Sequence, residues 1–203
     1  MIYKTHYNSP LGGMLLAADE KGLTGLWFDG QKYFAHGLAE SKENAADCQE
    51  TCRGENSPLL AEAKRWLDIY FSGKKPDFDL PLNMSGTAFQ KKVWGILCTI
   101  PYGKTMTYGQ IAAQLAAEQG TSNMSAQAVG GAVGRNPLSI IVPCHRVVGT
   151  NGSLTGYAGG IDRKIKLLTL EGADMSSFSC RKREQHCKNH IIGNKCTIYL
   201  IMK

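Results

Sequence analysis

The sequence predicts an α/β protein in two unequal parts, a small α/β domain over residues 1–80 and a mainly helical domain over residues 86–175. Three short apolar runs come first and predict strands, and one amphipathic helix follows them. A segment containing Lys, Pro and Gly then separates this unit from further segments with helical spacing. A chain of 203 residues, 43% of them hydrophobic, can bury one substantial core or two small ones.

The first domain is predicted to consist of three strands and one helix. The predicted strands are Ile2–Tyr7, Gly13–Ala18 and Leu23–Phe28. Ser57 and Pro58 predict the start of the helix, because serine can cap a helix and proline suits its first turn. Gly73 suits the end of this helix, and Gly73–Gly86 is the predicted linker.

The second domain is predicted to contain a helix-turn-helix. Thr87 and Thr107 each suit a helix cap; the second of these helices spans Tyr108–Gln119, and a third covers about Ser125–Gly134. Glycine and alanine occupy much of the third helix, although glycine costs helix stability. Two interpretations stay open: its backbone approaches a narrow groove closely, or it packs tightly against another helix.

The most informative stretch is IIVPCHRVV at Ile140–Val148, where three reactive side chains interrupt an apolar run. We predict a short strand over Ile140–Val142 that enters a turn. Cys144 is the candidate nucleophile, because a thiol reacts as its thiolate and cationic neighbours lower its pKa; the alternative is a small buried hydrophobe. On an extended chain Cys144 and His145 would point to opposite faces. Activation would then need a turn or a bridging water, and a third group to orient the imidazole.

Two further elements are predicted after this stretch. Asn151-Gly152 is a type I′ turn signal and predicts a hairpin between Val147–Val148 and Leu154–Thr155. A last helix opens at Asp162 and stops at Gly172.

The formal net charge of +6 does not by itself indicate nucleic-acid binding, because most of it lies at one end of the chain. Residues 177–203 hold six Lys/Arg and one acidic residue, and so carry +5 of this charge. We interpret residues 176–203 as a basic tail that contains Cys and His. A disordered tail, a packed accessory element and a metal site remain open for it.

Cysteine usage and the amino terminus favour a cytoplasmic protein. Seven cysteines, an odd number, fit a reducing compartment better than a disulfide framework. The first residues lack the apolar segment of a signal peptide, and no run reaches membrane-spanning length, so no membrane association is expected. Cys48 and Cys52 lack two further ligands nearby, and we predict no metal site.

Four sequence blocks, in this order, resemble the O6-alkylguanine-DNA alkyltransferase family, also called methylated-DNA–protein-cysteine methyltransferases. They are SAQAVGGAVGRNP (Ser125–Pro137), PCHRV (Pro143–Val147), TGYAGG (Thr155–Gly160) and LLTLEG (Leu167–Gly172). The resemblance is dense from about Gly86 to Gly172, weaker over the first 85 residues and absent after about Met175. It implies a ribonuclease H-like first domain and a winged-helix-like second domain with a helix-turn-helix.

The resemblance also implies the catalytic roles. Cys144 corresponds to the methyl acceptor, His145 to the base that acts through water, and Glu171 to the carboxylate that stabilises the imidazolium. Asn136 corresponds to the residue that ties down the turn near the nucleophile. Arg146, by contrast, is assigned no catalytic step: it is either an ion-pair member or a source of positive potential.

For DNA recognition, the resemblance implies that the nucleotide rotates out of the duplex into a pocket and that the small-residue helix enters the minor groove. Tyr108 corresponds to the tyrosine that helps this rotation. Gln127 stands where the family has an arginine that fills the gap in the stack, a departure that removes charge and stacking. The remaining implied contacts are Ala128, Gly130 and Arg135 with DNA, and Pro143, Tyr157 and Ala158 in the substrate pocket.

The expected function is direct repair of double-stranded DNA containing O6-alkylguanine, with O4-methylthymine as a second substrate. Cys144 would take the methyl group once and irreversibly, so no cofactor is needed, and we expect a monomer. Two alternatives belong to other classes. A non-catalytic alkyltransferase-like protein would bind alkylated DNA without the cysteine, which is present here, and a thiol hydrolase would turn over.

Overall fold

The computed structural model describes residues 1–38 and 57–180. Its strands are β1 (Tyr3–Ser9), β2 (Gly12–Ala18), β3 (Leu23–Phe28), β4 (Met106–Thr107), β5 (Val147–Val148), β6 (Ser153–Leu154) and β7 (Ser179–Cys180). Its α-helices are α1 (Pro58–Phe71), α2 (Ala88–Cys98), α3 (Tyr108–Gln119), α4 (Ala126–Gly134) and α5 (Ile161–Leu170). The predictions for Cys48, Cys52 and residues 181–203 lie outside the described residues.

The first part is a three-stranded antiparallel sheet in the order β1-β2-β3, with α1 packed against β1 and β2. The edge of β3 that does not pair with β2 forms hydrogen bonds with a segment of the second part of the chain. Leu26 forms a parallel bridge with Leu138: its N–H donates to the Pro137 carbonyl at 2.8 Å, and its carbonyl accepts from Ser139 N at 2.9 Å. The sheet therefore braces the segment that leads to Cys144.

The helices of the second part begin where local capping chemistry predicts. Thr87 forms a capping box with Gln90 at the start of α2, and Thr107 forms one with Gln110 at the start of α3. Gly120 ends α3 in the left-handed conformation, with φ 64°. Helices α3 and α4 pack against each other, and one hydrophobic core extends across both parts of the chain. The predicted fold class, an α/β unit followed by a helical domain, is confirmed.

The predicted strand over Ile140–Val142 is wrong. The segment is a tight turn in which Val142 N donates back to the Leu138 carbonyl at 3.0 Å and Ile140 adopts a φ of 71°. A positive φ is rare for a β-branched residue, so the surrounding hydrogen bonds must hold this conformation. The ladder with β3 ends at Ser139, which leaves the next residues no strand partner.

The predicted hairpin is half right. Asn151 and Gly152 both have positive φ, at 56° and 70°, as a type I′ turn requires. The flanking strands do not pair with each other, however, because β5 pairs in parallel with β4 and β6 pairs in parallel with β7. In the part of the chain that is described, no helix has both the length and the apolar character needed to cross a bilayer.

Candidate active site

Cys144 opens a 3₁₀ turn over Cys144–Arg146 and is 4% exposed. This turn, rather than an extended chain, places Cys144 and His145 in one buried region. The Asn136 side chain organises the approach to the turn. Its Nδ2 donates to Cys144 Sγ at 3.1 Å, to the Val142 carbonyl at 2.8 Å and to the Leu138 carbonyl at 3.1 Å, while its Oδ1 accepts from Leu138 N at 2.9 Å. Asn136 therefore ties the turn to the sulfur.

The environment of Cys144 keeps a thiol, not a thiolate, in the resting protein. Burial raises the pKa of Cys144, and this outweighs the Asn136 hydrogen bond, the Lys164 charge and the backbone N–H groups that lower it. The expected lowering by cationic neighbours is thus present but weaker than desolvation. The sulfur has to lose its proton to a specific acceptor when it reacts.

His145 follows Cys144 in the same turn and is fully buried. Its Nε2 lies 2.7 Å from Glu171 Oε1, whereas its Nδ1 is buried and makes no hydrogen bond within the described residues. A carboxylate only accepts, so Nε2 carries the proton of the neutral ring and Nδ1 keeps its lone pair. The ring is thereby set as a base at Nδ1.

Glu171 receives five hydrogen bonds in an otherwise apolar region. The donors are His145 Nε2 (2.7 Å), Tyr70 OH (2.7 Å), Arg146 Nε (2.8 Å), Arg146 Nη2 (2.9 Å) and Gly103 N (3.1 Å). The third donor of Arg146, Nη1, reaches the Ile100 carbonyl at 2.7 Å. Of the two roles left open for Arg146, the structure shows the ion pair.

These contacts set the resting charges of the pair. Burial lowers the pKa of His145 and outweighs the opposing influence of Glu171, so the ring is neutral at physiological pH. Burial alone would raise the pKa of Glu171, but the hydrogen bonds from His145 and Arg146 and the charge of Arg146 hold this pKa well below its usual range. An ionised carboxylate therefore lies 2.7 Å from a neutral imidazole in the resting protein.

A second group of side chains holds the loop around Tyr157. Tyr108 OH donates to the Gly156 carbonyl at 3.0 Å, and Lys164 Nζ donates to the Thr155 carbonyl at 2.8 Å and to the Val147 carbonyl. Lys164 is fully buried, and burial lowers its pKa to about 8. The Tyr157 ring meets His145 edge-on, with ring centroids 6.4 Å apart.

The two other residues predicted to line the pocket lie in this same region. Pro143 is buried immediately before Cys144, and the Ala158 carbonyl accepts from Lys32 N at 3.0 Å. Pro143 thus adjoins Cys144 in the chain, and Ala158 follows Tyr157 in its loop.

Three of the residues predicted to contact DNA line one surface cleft. The cleft lies between α3, α4 and the start of the Gly149–Thr150 loop and includes Tyr108, Gln127 and Gly130. Ala128 is exposed on α4 outside this lining. Arg135 is also elsewhere: its guanidinium stands 5.3 Å from the centre of the Tyr33 ring in the first domain.

The glycines of α4 are not required by helix packing. A Cβ atom on Gly134 would meet nothing within 4 Å, and on Gly130 or Gly131 it would make only ordinary contacts at 3.7 Å. The helix packs through other residues, among them Ala132, whose carbonyl accepts from Trp94 Nε1 at 3.0 Å. Packing therefore accounts for Ala132 but does not require glycine at Gly130, Gly131 or Gly134, where the helix leaves space.

Sequence reasoning missed two buried polar residues. Lys164 stands three and four positions before the buried Leu167 and Leu168, so a lysine within an apolar helical stripe was the available signal. Tyr70 shares the helical spacing of the buried Leu60, Ala63 and Leu67, which predicts a core residue. Nothing in the sequence indicates that its hydroxyl reaches Glu171, 101 residues further along the chain.

The fold and site together define a class: an α/β unit joined to a helical domain that carries a buried cysteine beside a buried histidine–glutamate pair. Comparison with family models matches residues 88–173 to the DNA-binding domain of 6-O-methylguanine DNA methyltransferase and residues 2–84 to its ribonuclease-like domain. The chain belongs to the O6-methylguanine DNA methyltransferase family.

Individual relatives support the same assignment. The chain is 44% identical over 172 residues to a methylated-DNA–protein-cysteine methyltransferase of Methanosarcina acetivorans, covering 85% of this chain and 99% of that protein. It is 43% identical to the Mycobacterium leprae protein of that name, covering 84% and 93%. The crystal structure of Mycobacterium tuberculosis OGT in complex with DNA matches at 40% identity with a TM-score of 0.65, covering 83% of this chain and 92% of that one.

Proposed function

We propose that this protein repairs O6-methylguanine in double-stranded DNA by transferring the methyl group to Sγ of Cys144. One observation carries the proposal: a buried thiol is hydrogen-bonded by Asn136 and lies in the same 3₁₀ turn as His145, whose tautomer Glu171 sets. Residues 86–175 would carry the chemistry and the DNA contacts, while residues 1–80 brace the catalytic turn through β3.

The proposed step starts with proton transfer. The Cys144 proton passes through a bridging water to Nδ1 of His145, and Glu171 stabilises the imidazolium. The thiolate then attacks the methyl carbon in line with the bond to O6. An S–C bond forms as the C–O bond breaks, the electron pair stays on the guanine, and N1 takes up a proton to give normal guanine. Arg146 holds the Glu171 carboxylate throughout.

For DNA presentation, we propose that α4 approaches the minor groove with its open glycine face. A duplex hides O6, so the nucleotide has to leave the stack. Tyr108 and Gln127 border the same cleft and are placed to assist this rotation and to fill the vacated space. Gln127 supplies hydrogen bonds but no charge, so we expect slower extrusion than an arginine would give.

Consumption of the thiol follows from the product. A thioether is inert, so one molecule repairs one lesion, and the cysteine itself is the reagent. O4-methylthymine offers the same methyl–oxygen bond and is the proposed second substrate. We expect the protein to act as a monomer, and the need for a reduced thiol fits a cytoplasmic protein.

The test is stoichiometry with a fivefold excess of O6-methylguanine duplex over protein. The amount of guanine formed should reach a plateau at one mole per mole of protein. Continued turnover would support a thiol hydrolase, and lesion binding with no guanine formed would support the non-catalytic alkyltransferase-like alternative. Either result overturns the proposal.

A further inference from the structure

Tyr70, from the α/β part of the chain, reaches into the catalytic pair. It lies in the last turn of α1 and is fully buried. Its hydroxyl donates to Glu171 Oε1 at 2.7 Å and lies 3.4 Å from His145 Nε2. The same carboxylate oxygen therefore receives three donors: the Tyr70 hydroxyl, the imidazole N–H and Arg146 Nη2.

The Tyr70 ring is held in place on several sides. Trp66 stacks on it with ring centroids 5.5 Å apart and an interplanar angle of 7°, while Tyr102 meets it edge-on at 6.1 Å. His145 contacts it edge-on at 6.5 Å. Aromatic packing of this kind fixes the direction of the phenolic C–O bond, so the position of the hydroxyl is set before the reaction.

Other titratable groups act on the same pair, and the role of Tyr70 has to be separated from theirs. They are Arg146, Lys164, Cys144, Tyr102 and Tyr157. Burial, followed by the Glu171 charge, raises the pKa of Tyr70 well above its usual value. The hydroxyl therefore keeps its proton and acts as a donor to the carboxylate at every physiological pH.

We propose that Tyr70 is a positioning residue for alkyl transfer: its hydroxyl fixes Oε1 of Glu171, and that oxygen holds His145 in the tautomer whose Nδ1 is free. This inference rests on the proposed function. It means that the α/β domain contributes one hydroxyl to the catalytic arrangement as well as a scaffold.

The consequence of losing the hydroxyl follows from the geometry. Without it, Oε1 keeps two of its three donors, His145 Nε2 and Arg146 Nη2, while Arg146 Nε and Gly103 N still hold Oε2. The remaining bonds then draw Oε1 toward Arg146 and away from His145. The Nε2–H···Oε1 hydrogen bond then loses its fixed direction. The tautomer of His145 that carries its proton on Nδ1 becomes populated. That tautomer cannot accept the proton of Cys144.

The test is Tyr70→Phe, which retains the ring and removes only the hydroxyl. We expect the second-order rate constant for methyl transfer to fall by about tenfold, the order of effect of one hydrogen bond to a charged group. Tyr7→Phe is the matched control, because it removes a tyrosine hydroxyl that donates to Asp68 at 2.8 Å and, among the described contacts, bonds neither Glu171 nor His145. An equal rate for Tyr70→Phe and Tyr7→Phe would overturn the inference.

A double-mutant cycle separates positioning from loss of packing. With His145→Gln, the arrangement that Tyr70 serves is already removed, so adding Tyr70→Phe should slow transfer no further. The same tenfold loss in that background would mean that Tyr70 acts only on stability, and would refute the proposal. DNA affinity, measured in a Cys144→Ser background, should not change with Tyr70→Phe.

A measurement on the unmutated protein covers the case in which Tyr70→Phe fails to fold. Proton NMR should show a Tyr70 hydroxyl resonance protected from exchange, with a nuclear Overhauser effect to the Nε2 proton of His145. Rapid exchange of that hydroxyl would overturn the inference. Because this readout needs no methyl transfer, an inactive protein would sink the proposed function while the hydroxyl resonance still tests the placement of Tyr70.

Discussion

Asn136 offers the sharpest test of how the catalytic turn is held together. Asn136→Ala removes four hydrogen bonds between 2.8 and 3.1 Å, one of them to the Cys144 sulfur. Among the described contacts, Leu138 N has no acceptor other than Asn136 Oδ1, so its buried N–H would be left unsatisfied. The Val142 and Leu138 carbonyls each keep one backbone donor.

The expected loss of stability follows from the hydrogen bonds that Asn136→Ala removes. One orphaned N–H and two weakened carbonyls give a loss of about 3 kcal/mol in the free energy of unfolding. For a chain of this length, that lowers Tm by about 6 to 12 °C. Removal of the amide donor also raises the pKa of Cys144 further, because the donor favours the thiolate.

The assay is thermal and urea denaturation of the reduced protein, with Asn83→Ala as the control. Among the described contacts, the Asn83 side chain makes one hydrogen bond, to Asp19 at 2.6 Å in a partly exposed position. Its loss should cost about 1 kcal/mol or less. If Asn136→Ala were no more destabilising than Asn83→Ala, the amide would not hold the turn, and the account of the site would be wrong.

Three further predictions concern DNA presentation, acid stability and the tail. Gln127→Arg should speed methyl transfer several-fold on duplex DNA but not on single-stranded DNA. Gln127→Lys adds charge without a planar group and should give a smaller increase in rate on the duplex. Equal increases on the two substrates would refute a role of residue 127 in nucleotide flipping. Glu171 has a pKa below its ordinary 4.5, so its stabilising contribution is complete above that pH and declines as the pH falls below it. Glu171→Gln should therefore lower the free energy of unfolding by several kcal/mol at pH 7. The difference in urea midpoint between the unmutated protein and Glu171→Gln should become smaller in acid. A difference that does not change with pH would contradict the ion pair. Removal of residues 181–203 should reduce the salt dependence of DNA affinity, and an unchanged slope of log Kd against log salt would exclude a phosphate-binding tail.

Local signals predicted the helices well. Both bounds of Tyr108–Gln119 follow from the Thr107 cap and the Gly120 stop, which act within a few residues of the helix ends. The strand predicted over Ile140–Val142 is wrong because distant contacts, not local signals, determine its conformation. Its composition favours a strand, but its conformation depends on β3 ending the ladder at Ser139 and on the Asn136 amide binding the Val142 carbonyl.

The same division applies to the site. Cys144 and His145 are adjacent and visible in one motif, and Asn136 and Glu171 could be named only through the family resemblance. Tyr70 could not be found by either route, because its role depends on how the α/β domain docks onto the helical one. The competition at Cys144 between burial and nearby positive charge is likewise a property of the assembled fold, and burial prevails.

Intact mass with peptide mapping, after reaction with duplex DNA containing O6-methylguanine, tests the central claim most directly. We expect the mass of the peptide that contains Cys144 to rise by one methylene unit. The reaction should stop at one equivalent of methyl group, and Cys144→Ser should show no mass change. A methyl group on any other cysteine, or none on Cys144 while guanine is restored, would contradict this claim.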